Sequence, residues 1–324
     1  MIRSEKPVQG QSTNNILGMN LDGERILLVY GSMAGMVYER LSVPTPNQES
    51  FAAILELIML QADRLLTLTQ AQHLPVPDRV SVAISGNLDS ETGIVGSAPD
   101  FPQWKLEPVR SQLSLRFNLP VYIEQKANAG ALAEYYLGAA QKLRNLVFIS
   151  MAPTVRVGVL TEGKLYRNSG GSAGQIGNIM LTPDGPAGFG RPGSLTGYAS
   201  ARGLLELARL RHPNHWEADT DLFQLIEAAQ AGDPYAQEVF EEAGRQLGKG
   251  LSSLTLLLRP EMIIIGYPGC LADEYLLAPA RAALAQTTSL DEAQLPKLMP
   301  SQLCIRLPEL EALAPAIHHA RTRP

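Results

Sequence analysis

The chain has 324 residues and a mass of 35.1 kDa, 45% of it hydrophobic and 18% charged, which fits two globular lobes and excludes a fibrous or wholly disordered polypeptide. Lys and Arg number 27 against 32 Asp and Glu, a net charge of −5 with no long basic run, so binding nucleic acid through a broad basic face is not expected. Two cysteines, Cys270 and Cys304, are too few for a disulfide framework or a thiolate zinc cluster. The apolar runs fall well short of the ~20 residues a bilayer demands, and the N-terminus carries no hydrophobic signal core, so a cytoplasmic protein without a membrane span is expected.

Residues 1–15 are polar and aperiodic and read as a disordered leader. From Ile16 a strand pattern begins: Ile16 to Leu21, an Asp22-Gly23 turn, Arg25 to Tyr30, then a third strand from Val37 to Val43 ending at Pro44. A long helix follows, with Asn47 placed to cap it and Phe51, Ile54, Leu55, Ile58, Ala62, Leu65 and Leu66 on one face. Val80 to Ile84 reads as a buried strand, Leu106 to Phe117 as a helix and Val121 to Glu124 as a strand.

The second half repeats that logic. Helix Ala127 to Leu137 leads to strands Leu146 to Met151 and Val155 to Leu160, with a hairpin at Glu162-Gly163. Residues 168–197 are rich in glycine and lack a helical pattern, so they predict a long folded loop. Helices are expected at about 199–210, 220–230 and 234–258, the last capped by Asp233 with Pro234 in its first turn and Tyr235, Val239, Phe240 and Leu247 inward. Strand Glu261 to Gly266 and two more helices complete the chain. Strands and helices alternate twice in the same order, which implies a mixed α/β protein of two related lobes.

Four segments in order carry a resemblance: SVAISGNLDSETGIVGSAPDFPQW, VYIEQKANAGALAE, GGSAGQIGN and AGFGRPGSLTGYAS. Together they resemble the sugar-side loop, the Glu-Asn-Asp-Ala-Asn segment, the Ala-Gly-Glu-x-Gly-His segment and the zinc signature of the ROK family of repressors, open reading frames and sugar kinases. The resemblance runs from about residue 16 to 310. It implies the two-lobed actin-like ATPase (ribonuclease H-like) fold, mixed sheets flanked by helices. Residues 16–125 with a C-terminal helix at about 306–324 form the small lobe, and 126–305 the large one.

The departures from the family pattern are chemical. Kinases of the family use an aspartate as the base that takes the proton of the sugar hydroxyl, and Lys126 stands there. A lysine would have to drop by more than ~3 pKa units to be neutral at pH 7. Its alternatives are a partly solvated side chain at a strand end or a cationic ligand anchor. In the first phosphate turn the family's Asp-x-Gly-Gly-Thr is Asn20, Leu21, Asp22, Gly23 and Glu24, which removes the Mg²⁺-side carboxylate and puts acids where phosphate would lie. The second turn, Gly-Thr-Gly-x-Gly in the family, is Ala152, Pro153, Thr154, Val155 and Arg156, the arginine reading as solvent-facing. Tyr267 and Pro268 follow Gly266 on the adenosine side. The zinc ligands correspond to Asn178, Ala187, Phe189 and Ser194, so packing of Phe189 and other apolar groups is expected to hold that loop.

The sugar side stays polar, with candidate ligand-binding residues Asp100, Gln125, Lys126, Gln175, Asn178 and Thr196. The expected protein is a pseudokinase without catalytic residues, Mg-ATP or zinc, binding a sugar or polyol in the inter-lobe cleft or acting as a regulator. The competing expectation is an active ATP-dependent, glucokinase-like sugar kinase using a relocated carboxylate such as Asp100 or Glu124. A third is the effector-binding part of a family transcriptional regulator. The 15 residues ahead of the first hairpin fall short of the ~60 a winged helix-turn-helix needs. The chain alone is therefore expected to bind no nucleic acid, and by the family's habit to form homodimers or larger homo-oligomers.

Overall fold

A computed structural model describes residues 14–46, 49–98, 100–168 and 173–322. The first half runs β1 (Asn15–Leu21), β2 (Arg25–Ser32), β3 (Val37–Pro44), α1 (Phe51–Ala71), β4 (Arg79–Ile84), β5 (Leu88–Asp89), β6 (Ile94–Ala98), β7 (Phe101–Glu107), α2 (Val109–Phe117) and β8 (Val121–Gln125). The second half runs α3 (Lys126–Leu137), β9 (Leu146–Ser150), β10 (Arg156–Thr161), β11 (Lys164–Leu165), α4 (Leu195–Ala199), α5 (Ala201–Arg211), α6 (Leu222–Gln230) and α7 (Pro234–Leu258). It ends with β12 (Met262–Ile265), α8 (Asp273–Thr288), β13 (Lys297–Pro300) and α9 (Leu307–Thr322).

Two five-stranded sheets repeat one plan. Their orders are β3-β2-β1-β4-β8 and β11-β10-β9-β12-β13, each an antiparallel meander followed by two parallel strands. The apolar runs Leu-Val-Phe-Ile of β9 and Met-Ile-Ile-Ile of β12 are buried along their length, as parallel strands covered on both faces must be. β3 alternates instead between half-buried and exposed residues, because it is the outer strand of its sheet. β5, β6 and β7 form a separate small sheet, where Trp104 stacks on Phe101 at 4.2 Å and meets Phe51 edge-on at 5.0 Å. Asp100 immediately precedes Phe101 of this stack.

The lobes share a wall. One continuous apolar cluster contains Ile16 of β1, Ala131 and Leu132 of α3, Phe148 of β9, Ile264 of β12 and Leu310, Leu313 and Ile317 of α9. Helix α3 lies so close to β9 that a Cβ at Gly130 would come within 2.3 Å of the Phe148 ring. The two helices also meet through polar contacts, Tyr136 Oη of α3 lying 2.9 Å from His318 Nδ1 of α9.

Several sequence expectations are corrected at element ends. Ser50 caps α1, its hydroxyl accepting the Ala53 N–H at 3.3 Å, while Asn47 lies outside the described residues. α2 begins only at Val109, because Leu106 continues β7 with 75% of its surface exposed and Pro108 separates the two. Asn14 and Asn15 belong to the fold, so only residues 1–13 of the expected leader lie outside the described set. Tyr235 is exposed against the rings of His212 and His215 rather than inward. Asp233 and Pro234 do open α7 as expected.

The two cysteines are too few for a framework, yet they pair. Cys270, just after β12, is bonded to Cys304, just before α9, with Cα atoms 6.0 Å apart and a sequence separation of 34. The bridge spans the connection from the second sheet into the shared helix. Closing a loop of that length stabilises the fold by about 3–4 kcal/mol in the chain-entropy description. Reduction, or Cys304→Ser, is therefore expected to lower the urea midpoint and the Tm, and coincident melts with and without reductant would show that the bridge carries no stability.

Candidate functional site

The parallel pairing of β1, β4 and β8 sets Leu21, Ile84 and Gln125 side by side at one edge of the sheet. The turn after β1 and the start of α3 therefore face each other. Asp22 shapes the turn: its Oδ1 accepts the N–H groups of Glu24 at 3.0 Å and Arg25 at 2.9 Å. Gln125 caps α3, its side-chain oxygen accepting the N–H of Ala127 at 2.8 Å and of Asn128 at 3.4 Å. Lys126 is consequently the first helical residue, and its ammonium group donates to Asp22 Oδ2.

This ion pair is buried; the side chains of Lys126 and Asp22 expose 11% and 22% of their surface. Lys126 is thus neither a solvated strand-end residue nor a free anchor. Burial pulls its pKa down, but Asp22, Glu311 and Asp100 together outweigh that and leave it above the ordinary lysine value. For Asp22, burial pushes up while the Lys126 charge and hydrogen bond and the turn N–H groups pull down, and the carboxyl ends below its ordinary value. Both partners are charged at neutral pH.

Around the pair lies a ring of polar groups, one of which sequence reasoning missed. Glu311 of α9 is buried, and its Oε2 accepts Asn20 Nδ2 at 2.8 Å. The same amide donates to the Pro308 carbonyl at 2.9 Å. Burial raises the Glu311 pKa to about 7, opposed by the Lys126 charge and the Asn20 hydrogen bond. An aspartate at position 20 would set two carboxylates against each other with no donor between them. Asp100 stands on the other side, so close to the turn that a Cβ at Gly23 would lie 2.6 Å from its Oδ1. Burial lifts its carboxyl to about 6 against hydrogen bonds from Ser85 and the Gly23 N–H.

Asp100, Gln125 and Lys126 line one space between the lobes together with Ser150, Ala152, Pro153, Thr154 and Arg156. Its volume is about 10 Å³, room for about one water and for no sugar. Arg156 helps fill it, which corrects its reading as solvent-facing: it is half-buried, and its Nη2 donates to Asn87 Oδ1 at 2.9 Å. Gln175 donates to that same oxygen at 3.1 Å, and Asn178 reaches Gln175 at 3.4 Å. Asn87 thereby bridges the small-lobe hairpin to the glycine-rich loop. Thr196 stands apart, 1% exposed, its hydroxyl accepting the Val155 N–H at 3.3 Å. That contact uses a backbone donor of the turn after β9, and Pro153 has none to give.

The glycine-rich loop is held in a way the sequence did not indicate. Phe189 is 45% exposed and lies under the Arg202 guanidinium at 4.6 Å, so apolar packing of this ring is not what fastens the segment. Glu206 of α5 does so: its Oε2 accepts the N–H groups of Ala187 at 3.0 Å and Gly188 at 2.8 Å. Ser194 caps α4, its hydroxyl accepting the Gly197 N–H at 3.3 Å. With alanine, phenylalanine, a capping serine and an amide at the four positions, the donor set does not fit a tetrahedral zinc ion.

A profile of the ROK family matches residues 16–303. The chain is 28% identical to the glucokinase of Halalkalibacterium halodurans over 279 residues, 82% of this chain and 83% of that protein. It is 29% identical over 248 residues to the xylose repressor of Caldicellulosiruptor bescii, covering 74% of this chain but only 62% of the repressor's length. Among solved structures, the ROK glucokinase of Streptomyces griseus in complex with glucose and AMPPNP superposes with a TM-score of 0.81 at 26% identity, over 92% of this chain and 97% of that one. The two-lobed kinase fold read from the four segments is therefore the fold of this chain.

Two outcomes follow from the buried charges. Lys126→Met leaves Asp22 and Glu311 without their cation and is expected to cost about 3–5 kcal/mol in urea unfolding. Adding Asp22→Asn in the same chain is expected to restore part of that, and additive losses would deny the coupling. The second outcome concerns pH. Glu311 holds its proton to about 7 when folded against an ordinary 4.5, so its contribution to stability falls as pH rises through that window. His318, held near 4 against 6.5, contributes in the opposite sense. Comparing Glu311→Gln with the parent cancels the histidine: the variant is expected to gain stability relative to the parent between pH 5 and pH 8, and an unchanged difference would contradict the assignment.

Proposed function

The chain belongs to the ROK family, and from that premise we propose that it is a member that does not phosphorylate sugars and acts instead as a ligand-responsive regulatory protein. The observation that carries this reading is the Lys126–Asp22 ion pair, set across the place where the family's base and first phosphate turn meet. A sugar hydroxyl needs an acceptor for its proton, and an ammonium group held above its ordinary pKa offers none. A phosphate entering the turn would have to compete with Asp22 for Lys126 and would face Glu24, which opposes it by about 3 kcal/mol at ~5 Å and an effective dielectric of 20. With Asn20 donating to Glu311 and the Val155 N–H committed to Thr196, neither Mg²⁺ support nor a phosphate cradle is supplied by these residues.

The polar set Asp100, Gln125, Gln175 and Asn178 survives as the part of the inter-lobe cleft that would meet a sugar or polyol. In the closed form it is joined by the Asn87 bridge, so a ligand reaches it when the lobes part. Separation of the lobes, rather than turnover, is then the readout, in keeping with a family in which glucokinases and repressors share one fold. Transfer by a relocated base is favoured by one observation, the Asp100 carboxyl raised to about 6 at the cleft. The two readings separate on Mg-ATP: no rise in Tm and no phosphorylation across a panel of hexoses, pentoses and amino sugars is expected. Sugar phosphorylation well above background, abolished by Asp100→Asn, would overturn the proposal in favour of the kinase.

A further inference from the structure

A far roomier cavity than the inter-lobe cleft lies elsewhere in the described part of the molecule. It lies on the far side of β8, between the C-terminal turns of α9, the start of α2 and the β5–β6 turn, and measures about 550 Å³. That is within the ~300–1,000 Å³ of small-molecule sites and contrasts with about 10 Å³ in the cleft. None of Asp100, Gln125, Lys126, Gln175, Asn178 or Thr196 lines it. We propose that this cavity is a second, non-catalytic ligand site that takes a neutral saccharide.

The chemistry of the lining selects the class. Both arginines already rest on oxygen: Arg110 donates to the carbonyls of Glu91 at 2.7 Å and Ser90 at 2.6 Å, and Arg167 donates through Nε and Nη2 to Glu124 Oε2 at 2.9 and 2.6 Å. Asp89 is occupied by the N–H groups of Glu91 at 2.9 Å and Thr92 at 3.3 Å. An anionic ligand would have to break the Arg167–Glu124 pair and then face three carboxylates. A neutral polyol has no such cost, because guanidinium N–H groups and carboxylate lone pairs retain capacity after their present bonds. One wall is aromatic: the Tyr122 ring lies 4.1 Å from that of His319 with the planes tilted by 36°, and such a ring pair gives the C–H groups of a pyranose an apolar contact. His318 adds an imidazole that burial and Arg167 keep uncharged, its pKa held near 4, which again favours a neutral guest.

The site also has a route to the cleft. Glu124 stands between the two: its Oε1 accepts the Gln125 N–H at 3.2 Å and Asn128 Nδ2 at 3.0 Å, in the first turn of α3 beside Lys126. A saccharide that draws on Arg167 acts on the same carboxylate that steadies that turn. The proposal stands whether or not the chain is a kinase.

Isothermal calorimetry with glucose, mannose and sucrose, and with glucose 6-phosphate, tests it on the full chain. At least one neutral sugar is expected to bind, with affinity falling tenfold or more in Tyr122→Ala and in Thr322→Trp. The second variant fills the cavity from the exposed end of α9, where the fold tolerates change. The part of the heat lost in those two variants is expected to survive in Gln175→Ala, which removes only the cleft's share. Binding lost in Gln175→Ala but kept in the two cavity variants would overturn the inference, as would tighter binding of the sugar phosphate or the absence of heat with every neutral sugar. The reading of the chain as one that does not phosphorylate sugars is judged on Mg-ATP, so the two proposals fail separately.

Discussion

A single buried contact, the Lys126 ammonium against the Asp22 carboxylate, organises the centre of the molecule. Two charges taken from water are stable only where their mutual attraction and further hydrogen bonds offset the desolvation. Both conditions are met through backbone geometry. The Asp22 turn supplies two N–H donors, and the capping Gln125 places Lys126 at the start of α3 rather than in the strand. The parallel register of β1, β4 and β8 brings the two ends to one edge. Without the cap, or with a longer turn, the pair would not meet.

The substitutions around this contact require one another. Lysine at 126 needs a carboxylate, and Asp22 provides it from a position where the family keeps glycine. The Lys126 charge in turn steadies Glu311, whose carboxylate needs a donor, and Asn20 is that donor. Any one of these changes made alone in a kinase of this fold would bury an unmatched charge or set like charges together, each at a cost of several kcal/mol. A set of this kind is evidence of a different electrostatic solution, whereas scattered decay would leave orphaned groups. Misfit remains at three places in the site, Asn20 Oδ1, Asp100 Oδ2 and Arg156 Nη1, each buried without a partner.

The fold was legible because its signals are long and redundant: continuous apolar strands, a capped 25-residue α7, and four motif segments in order. The centre of the site was legible in identity but not in contact. Asn20, Asp22 and Lys126 could each be named, yet their union depends on strand register and on Gln125 acting as a cap, which single positions do not reveal. Glu311 went unnamed because it lies in the apolar run LEALAPAI of a helix 185 positions beyond Lys126, and only its oddity as an acid on a buried face marked it. Arg156 looked solvent-facing because strand alternation assigns a face, not what covers that face. Phe189 and Glu206 show the same limit: the ring was credited with holding the loop, and a carboxylate two helices on does it instead.

That loop bears on how the frame keeps its shape where residues of the site differ from the family pattern. Stability in this chain resides in three apolar clusters, two of them within the lobes and one made by α3 and α9 between the sheets, and none draws on the site's charged groups. A tetrahedral metal in the glycine-rich loop would have tied chain segments together; here Glu206 does so by accepting the half-buried backbone N–H groups of Ala187 and Gly188. The substitution is local, so the shape of the segment that carries Gln175 and Asn178 persists without thiolates. The same logic applies across the cleft, where the Asn87 bridge joins the lobes by hydrogen bonds between neutral amides and a guanidinium. Contacts of that kind hold the lobes together with energies of ~1 kcal/mol each and can be exchanged for those of a hydroxylated guest. A frame secured by its cores and closed by exchangeable polar contacts leaves the residues of the cleft free to differ without loss of the fold.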